Sequence, residues 1–231
     1  MDTGSRHILG SFEAALKSLR DDVLVMGGLS VRNLGNAMRG LLQRDDQLCR
    51  LAIADDEEVD DLEKRIDQDG FQLILRFQPV ASDLRAVIAA MKTSTHLERL
   101  GDLAVSIARR ARRLNLVEPL PETSSIEPLF QSAVQMIRDS LRAFADKDAA
   151  LAVAVKERDR ELDLAVAATT ERFILAMESG GPLVSAYLNL IMVARHIERA
   201  GDHAKNVGED TVFAAAAEDI RHTLRPPGGA A

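Results

Sequence analysis

Apolar residues recur along this chain every three or four positions, the spacing of an α-helix stripe, and nowhere alternate as they would in a strand. Ile8, Phe12, Ala15, Leu19, Val23 and Met26 predict one long helix from about residue 6 to 43, with Gly27, Gly28 and Gly35 as places where it can bend. A second helix follows Asp45 and Asp46 and runs to Phe77, where Gln78-Pro79 breaks it. Proline suits the opening turn of the next helix, so a third extends to about Leu114. The stretch NLVEPLPET at 115 to 123 stops it with two prolines. Ser124 and Glu127 then have the spacing of a capping box. They start a fourth helix that carries Ile126, Leu129, Val134, Ile137 and Leu141 to about Ala145. A fifth helix covers roughly 147 to 178, Ser179-Gly180-Gly181-Pro182 separates it from a sixth, and the tail from Arg225 reads as disordered. The fold class is all-α.

The pattern is also duplicated. HLERLGDLA at 96 to 104 returns as HIERAGDHA at 196 to 204, an offset of 100. The second and fifth helices align at an offset of 103, which sets Asp45 on Asp148, Asp56 on Asp159 and Asp60 on Asp163. In both copies acids interrupt an apolar stripe. Val80, Leu84, Val87 and Met91 lead to Glu98 and Asp102, and Val184, Tyr187 and Ile191 lead to Glu198 and Asp202. Asp56 and Asp60 share a face with Cys49, Ile53, Phe71 and Ile74; Asp159 and Asp163 lie between Ala152 and Val155 on one side and Val166, Thr170 and Ile174 on the other. These acids are expected to look inward. Buried carboxylates repel one another and lose hydration, so something cationic must face them. Arg99 and Arg199 are about 100° round the helix from Glu98 and Glu198 and can help only in part. Gly101 and Gly201, each beside an Asp, suggest close backbone approach or room for a ligand. His96 and His196 lie across the helix from the acids and read as packing or hydrogen-bonding residues.

Composition narrows the chemistry. The 231 residues carry a net charge of −7, which disfavours a general nucleic-acid binder and suits cations. Cys49 is the single cysteine, so there is no intrachain disulfide and no thiolate zinc site, and it reads as a small core residue. The N-terminus has no signal-type apolar region, and no apolar run is long enough for a bilayer span. A cytoplasmic location is expected, with the membrane reached only through partners.

The two units, the opening QPVASDLR at 78 to 85 and the paired Glu-x-x-x-Asp motifs resemble the PhoU phosphate-signalling family along nearly the whole chain. The second unit departs from it, reading GPLVSAYL at 181 to 188 where Asp83 and Arg85 would have counterparts. The resemblance implies two three-helix bundles side by side with pseudo-twofold symmetry, the first over residues 1–117 and the second over 118–224, followed by the tail 225–231. It also implies metal clusters, iron or zinc in some members. By position the ligands are Glu98, Asp102, Glu198 and Asp202, with Asp56, Asp60, Asp159 and Asp163 opposite; Glu57, Asp61 and Glu161 become substitutes after a small rotation. Oxygen-only ligation also admits manganese or magnesium. The alternative for the same acids is a set of salt bridges with arginines such as Arg99, Arg109 and Arg195.

By the same resemblance the chain is a homodimeric regulator without enzymatic activity. It couples the phosphate ABC transporter, through its ATPase subunit, to a sensor histidine kinase and represses the phosphate-starvation response. No nucleophile with a base partner and no phosphate-cradling glycine loop stands out in the sequence. Two other readings share the fold: a carboxylate-bridged, ferritin-like di-metal enzyme and a metal-free helical scaffold. The former needs inward Glu-x-x-His pairs, and here each motif His precedes its Glu by two residues.

Overall fold

In the computed structural model of the chain, residues 3–178 and 183–221 are described, with side chains from residue 10 onward. Among the described residues seven α-helices follow in order: α1 Thr3–Leu42, α2 Asp46–Ala54, α3 Asp56–Phe77, α4 Ala81–Leu114, α5 Ile126–Asp146, α6 Ala149–Glu178 and α7 Val184–Ala216. A 3-10 turn, Pro121–Ser125, precedes α5. In the first half α1, α3 and α4 pack on one another, in the second α5, α6 and α7 do, and the halves meet through α4 against α7 and α1 against α5. The Ile8 side chain, the break at Ser179 to Pro182 and the tail 225–231 lie outside the described residues.

The duplication is visible in the turns. Arg44 and Lys147 close α1 and α5 in the left-handed conformation, with φ of 56° and 55°. Each is followed by an aspartate that caps the next helix. Asp45 Oδ1 accepts from the backbone N–H of Gln47 at 2.8 Å and of Leu48 at 3.2 Å, and Asp148 Oδ1 accepts from Leu151 N–H at 3.0 Å. Arg44 also donates to the carbonyls of Leu114, Asn115 and Val117, at 3.3, 2.9 and 2.6 Å, where α4 runs out of intrahelical partners.

One apolar core runs through both halves. Leu19, Met26, Leu34, Met38 and Leu41 of α1, Ile66 of α3, Leu97, Leu100 and Ile107 of α4, Ile126 and Met136 of α5, and Phe173 of α6 are its largest fully buried side chains. Cys49 is buried as expected, and burial pushes its thiol up to about 11. Close approaches fall at glycines. The place a Gly27 side chain would take is filled by Leu141 of α5, and a Cβ at Gly208 would lie 3.0 Å from the Ala152 carbonyl oxygen of α6.

Four expectations are corrected. The second helix divides at Asp55 into α2 and α3. Ser124 and Glu127 form no capping box: Ser124 Oγ donates to Pro121 O at 3.1 Å inside the 3-10 turn, and Ser125 stands at the head of α5 without a side-chain cap. Val80 and Val184 are exposed, so the stripes that lead to the acids start outside the core. The inward faces of the second and fifth helices are also rotated. Phe71 and Ile174 are exposed, while Gly70, Leu73, Thr169 and Phe173 are buried. The stripe drawn through Asp60 and Asp163 already lies on the flank of the buried face, and it keeps that offset to Phe71 and Ile174, about three turns further on.

Backbone proximity makes two glycines respond oppositely. Gly208→Ala should destabilise by about 1–3 kcal/mol, because the methyl meets backbone that cannot rotate away. Gly28 is exposed with open space around it, and Gly28→Ala should stabilise by up to about 1 kcal/mol. Urea unfolding followed by circular dichroism measures both.

Candidate functional site

The acids collect along two seams, α3 against α4 and α6 against α7. In the first, Asp56, Asp60 and Glu63 on α3 face Glu98 and Asp102 on α4, close enough to act on one another's ionisation. Asp56 Oδ1 is buried without a hydrogen-bond partner, and Glu98 Oε2 is buried with the Arg99 guanidinium 3.3 Å away but in no hydrogen-bond geometry. Asp56 Oδ1 occupies the space that a side chain at Gly101 would need, so this glycine admits the carboxylate rather than another helix backbone. Burial, then Asp102, pushes Glu98 up to about 7 despite the opposing charge of Arg99. Burial, then Asp60 and Asp102, pushes Asp56 up to about 6. Among the described residues Arg99 is the one arginine that pairs with these acids, at 3.0 Å to Asp102 and 3.3 Å to Glu98, and it is more than half exposed. Such a contact gives little net stabilisation.

The second seam has the same acids in another electrostatic setting. Asp159 is buried, Glu198 is mostly covered, and Lys205 reaches between α7 and α6. Its ammonium donates to Asp202 Oδ1 at 2.6 Å and to Asp159 Oδ2. Arg195 donates to both oxygens of Glu198, at 2.8 and 2.6 Å. At the 100-residue offset, Lys205 and Arg195 correspond to Val105 and Thr95, and at the offset of 103 Glu63 corresponds to Val166. The second copy therefore has two cations and lacks one acid. Gly201 too has a different neighbour, since its missing side chain makes way for Leu162 Cδ2.

The motif histidines serve the junction between halves, as hydrogen-bonding residues. Arg110 Nε donates to His196 Nε2 at 3.2 Å, and Arg110 also donates to Asn189 Oδ1 at 3.2 Å. Reciprocally, His96 Nε2 lies 3.4 Å from Asp210 Oδ2, which also receives Lys92 at 3.0 Å through its other oxygen. Positions 110 and 210 correspond under the repeat, so this pair of contacts embodies the pseudo-twofold relation. His203 adds a ring contact to His96 with centroids 5.6 Å apart. Burial pushes His196 and His203 down to about 4, which keeps both neutral near pH 7.

Of the eight predicted ligands, Asp56, Asp60 and Glu98 are half-buried in the first seam, and Asp159 and Glu198 are buried or half-buried in the second. Asp102 and Asp163 lie at the exposed rim, and Asp202 stands partly out beside Lys205, so the inward orientation holds for one member of most pairs. Glu57, Asp61 and Glu161 stay on the outer face. Arg109 makes no ion pair with these acids and acts on Asp56 only through its charge. Glu63 and Lys205 were missed. Glu63 could have been found as the next inward position after Asp56 and Asp60, and Lys205 by asking where the two copies differ in charge. Among the described residues no three His, Cys, Asp or Glu side chains converge closely enough to hold an ion as they stand.

The sequence matches the PhoU domain over residues 23–111 and again over 126–211. It is 34% identical over 207 residues to the phosphate-specific transport system accessory protein PhoU homolog of Xylella fastidiosa strain 9a5c, covering 90% of this chain and 87% of that protein. It is 33% identical over 218 residues to the phosphate-specific transport system accessory protein PhoU of Escherichia coli K12, covering 94% and 90%. The crystal structure of PhoU from Pseudomonas aeruginosa superposes with a TM-score of 0.87 at 31% identity, covering 90% of this chain and all of that one. That of the phosphate transport system regulatory protein PhoU from Streptococcus pneumoniae gives 0.84 at 24%, over 90% and 99%, which shows the shared fold.

The first seam makes a pH prediction. The folded value of Glu98 lies above its ordinary 4.5, so ionising it costs native stability as pH rises from about 4.5 to about 7. In chelator-treated protein Glu98→Gln should therefore melt higher than the parent at pH 8, with the advantage fading as pH falls through that window. Differential scanning calorimetry across pH measures it; an unchanged or lower melting temperature at pH 8 would mean that Arg99 outweighs burial.

Proposed function

The chain belongs to the PhoU family, and from that premise we propose that it regulates phosphate uptake and represses the phosphate-starvation response as a non-enzymatic adaptor. The observation that carries this reading is the full-length match, both repeats included, to relatives named as accessory proteins of the phosphate-specific transport system. Its partners are the ATPase subunit of the phosphate ABC transporter and a sensor histidine kinase. It acts in the cytoplasm as a homodimer. In keeping with that location, no helix among the described residues is long and apolar enough to cross a membrane. An adaptor of this kind works by binding one signalling state of its partners better than another, so its output follows from differential affinity.

The first acidic seam fits a cation by the chemistry of its donors. Asp56 holds a buried, unpartnered carboxylate oxygen, Glu98 a buried one that half-exposed Arg99 approaches from one side, and Asp60, Glu63 and Asp102 supply further oxygens along the same seam. Such a set suits manganese, magnesium, iron or zinc, and a bound ion would supply the positive charge that these residues lack. The side chains must turn inward to share it.

Deletion of the gene should raise a phosphate-starvation reporter, or disturb phosphate uptake, in cells grown with ample phosphate. Both are measured in parent and deletion strains. Normal reporter output with normal uptake, in a strain without a second copy, would refute the adaptor reading. For the first seam, Glu98→Gln with Asp102→Asn should lower the metal content of untagged protein purified without chelator, as read by elemental analysis.

A further inference from the structure

The two seams inherit one scaffold but satisfy their carboxylates by different means. Lys205 Nζ lies between Asp159 of α6 and Asp202 of α7, bonded to both, at the register position where the first repeat has the buried Val105. We propose that Lys205 is a built-in counter-ion that takes the place of a metal in the second repeat, so that the protein binds cations at the first repeat alone. The proposal takes its contrast from the cation reading of the first seam but is tested independently of it.

An ammonium and a divalent ion compete for the same oxygens. The lysine offers three donors and no acceptor, and two of those donors are committed to the carboxylates that a second-repeat metal would require. The two bonds bridge α6 and α7 and hold the ammonium in the seam between the carboxylates. The lysine is tethered by its own helix, so a dissolved ion must compete with a cation that is always present at the seam. Arg195 closes the other end of the seam by taking both oxygens of Glu198. Glu63 has become Val166, so an oxygen available to the first seam is missing here.

The second seam keeps a buried acid that needs this charge. Asp159 is 5% exposed, and its Oδ1 has no hydrogen-bond partner while Oδ2 holds the lysine. Without the lysine, Asp159 would be a buried carboxylate with no cation on it, which must take up a proton or an ion to remain buried. The lysine therefore lets the second repeat fold without metal, whereas the first repeat gains stability when an ion arrives.

The test is equilibrium dialysis against Mn2+ alone and Zn2+ alone, with bound metal per chain read by elemental analysis and folding checked by circular dichroism. The parent protein is compared with Lys205→Gln, Val105→Lys, Glu98→Gln/Asp102→Asn and Glu198→Gln/Asp202→Asn. The expected result is that the first-repeat double variant and Val105→Lys lose metal, the second-repeat double variant keeps the parent's content, and Lys205→Gln binds additional metal that removal of Glu198 and Asp202 abolishes. Parent metal that survives the first-repeat variant and disappears with the second-repeat one would overturn the proposal. So would a folded Lys205→Gln that binds no more metal than the parent. If Lys205→Gln fails to fold, Val105→Lys decides, and an unchanged metal content there is the overturning result. If the parent binds neither ion, the cation reading of the first seam falls, and gain or no gain by Lys205→Gln still judges the lysine.

Discussion

The face of α4 turned away from α1 and α3 is closed by α7, and the rest of the molecule depends on that contact. Three helices cannot enclose both sides of a central one, so each repeat leaves apolar surface that must be buried against its copy. The continuous core through both halves is the result. The polar groups at this junction are matched crosswise, His196 with Arg110 and His96 with Asp210. A pair of helices sliding by one turn would leave these buried groups without partners, which fixes the register of one repeat on the other.

That central contact also assigns the acids their place. The histidine side of each motif is committed to the junction, so Glu98 and Glu198 must point to the opposite flank, where α4 meets α3 and α7 meets α6. Neither flank is the core nor free solvent. Carboxylates there are covered enough to lose hydration, yet close enough to water for Asp102, Asp163 and Asp202 to reach it.

Much of the fold was legible because its signals are local. Helix period, the prolines at 79, 119 and 121, and the repeated aspartates at 45 and 148 each act over a turn or two, and duplication supplied a second reading of the same signal. The break at Asp55 was not legible, since Asp55 keeps right-handed backbone angles and no proline or glycine marks it. The rotation that exposes Phe71 and Ile174 was missed because the stripe was drawn through Asp60 and Asp163, which lie on the flank of the buried face rather than at its centre. The site was only partly legible. Spacing found Asp56, Asp60, Asp159, Glu98 and Glu198, but burial depends on which helices close the seam, and no single-helix pattern contains that information. Lys205 is the clearest case: on its own helix it is an ordinary i, i+3 partner of Asp202, and its importance comes from Asp159, 46 residues away on α6.

The fold constrains only that each seam be neutralised, not how. A half-buried carboxylate can accept a proton, an arginine on the same helix, a lysine from the same helix that crosses the seam, or a dissolved ion, and the helices need not move for any of these. In the first seam burial leans Glu98 and Asp56 towards the proton, since Arg99 is too exposed to offset it. In the second, Arg195 and Lys205 supply charge covalently. Electrostatic drift between the copies is therefore invisible to the shared architecture, which under the proposed assignment leaves one half responsive to its ionic surroundings and makes the other a fixed support. A molecule with one responsive half and one fixed half, joined through a rigid register at α4 and α7, can change the strength of its contacts on one side without loosening the other.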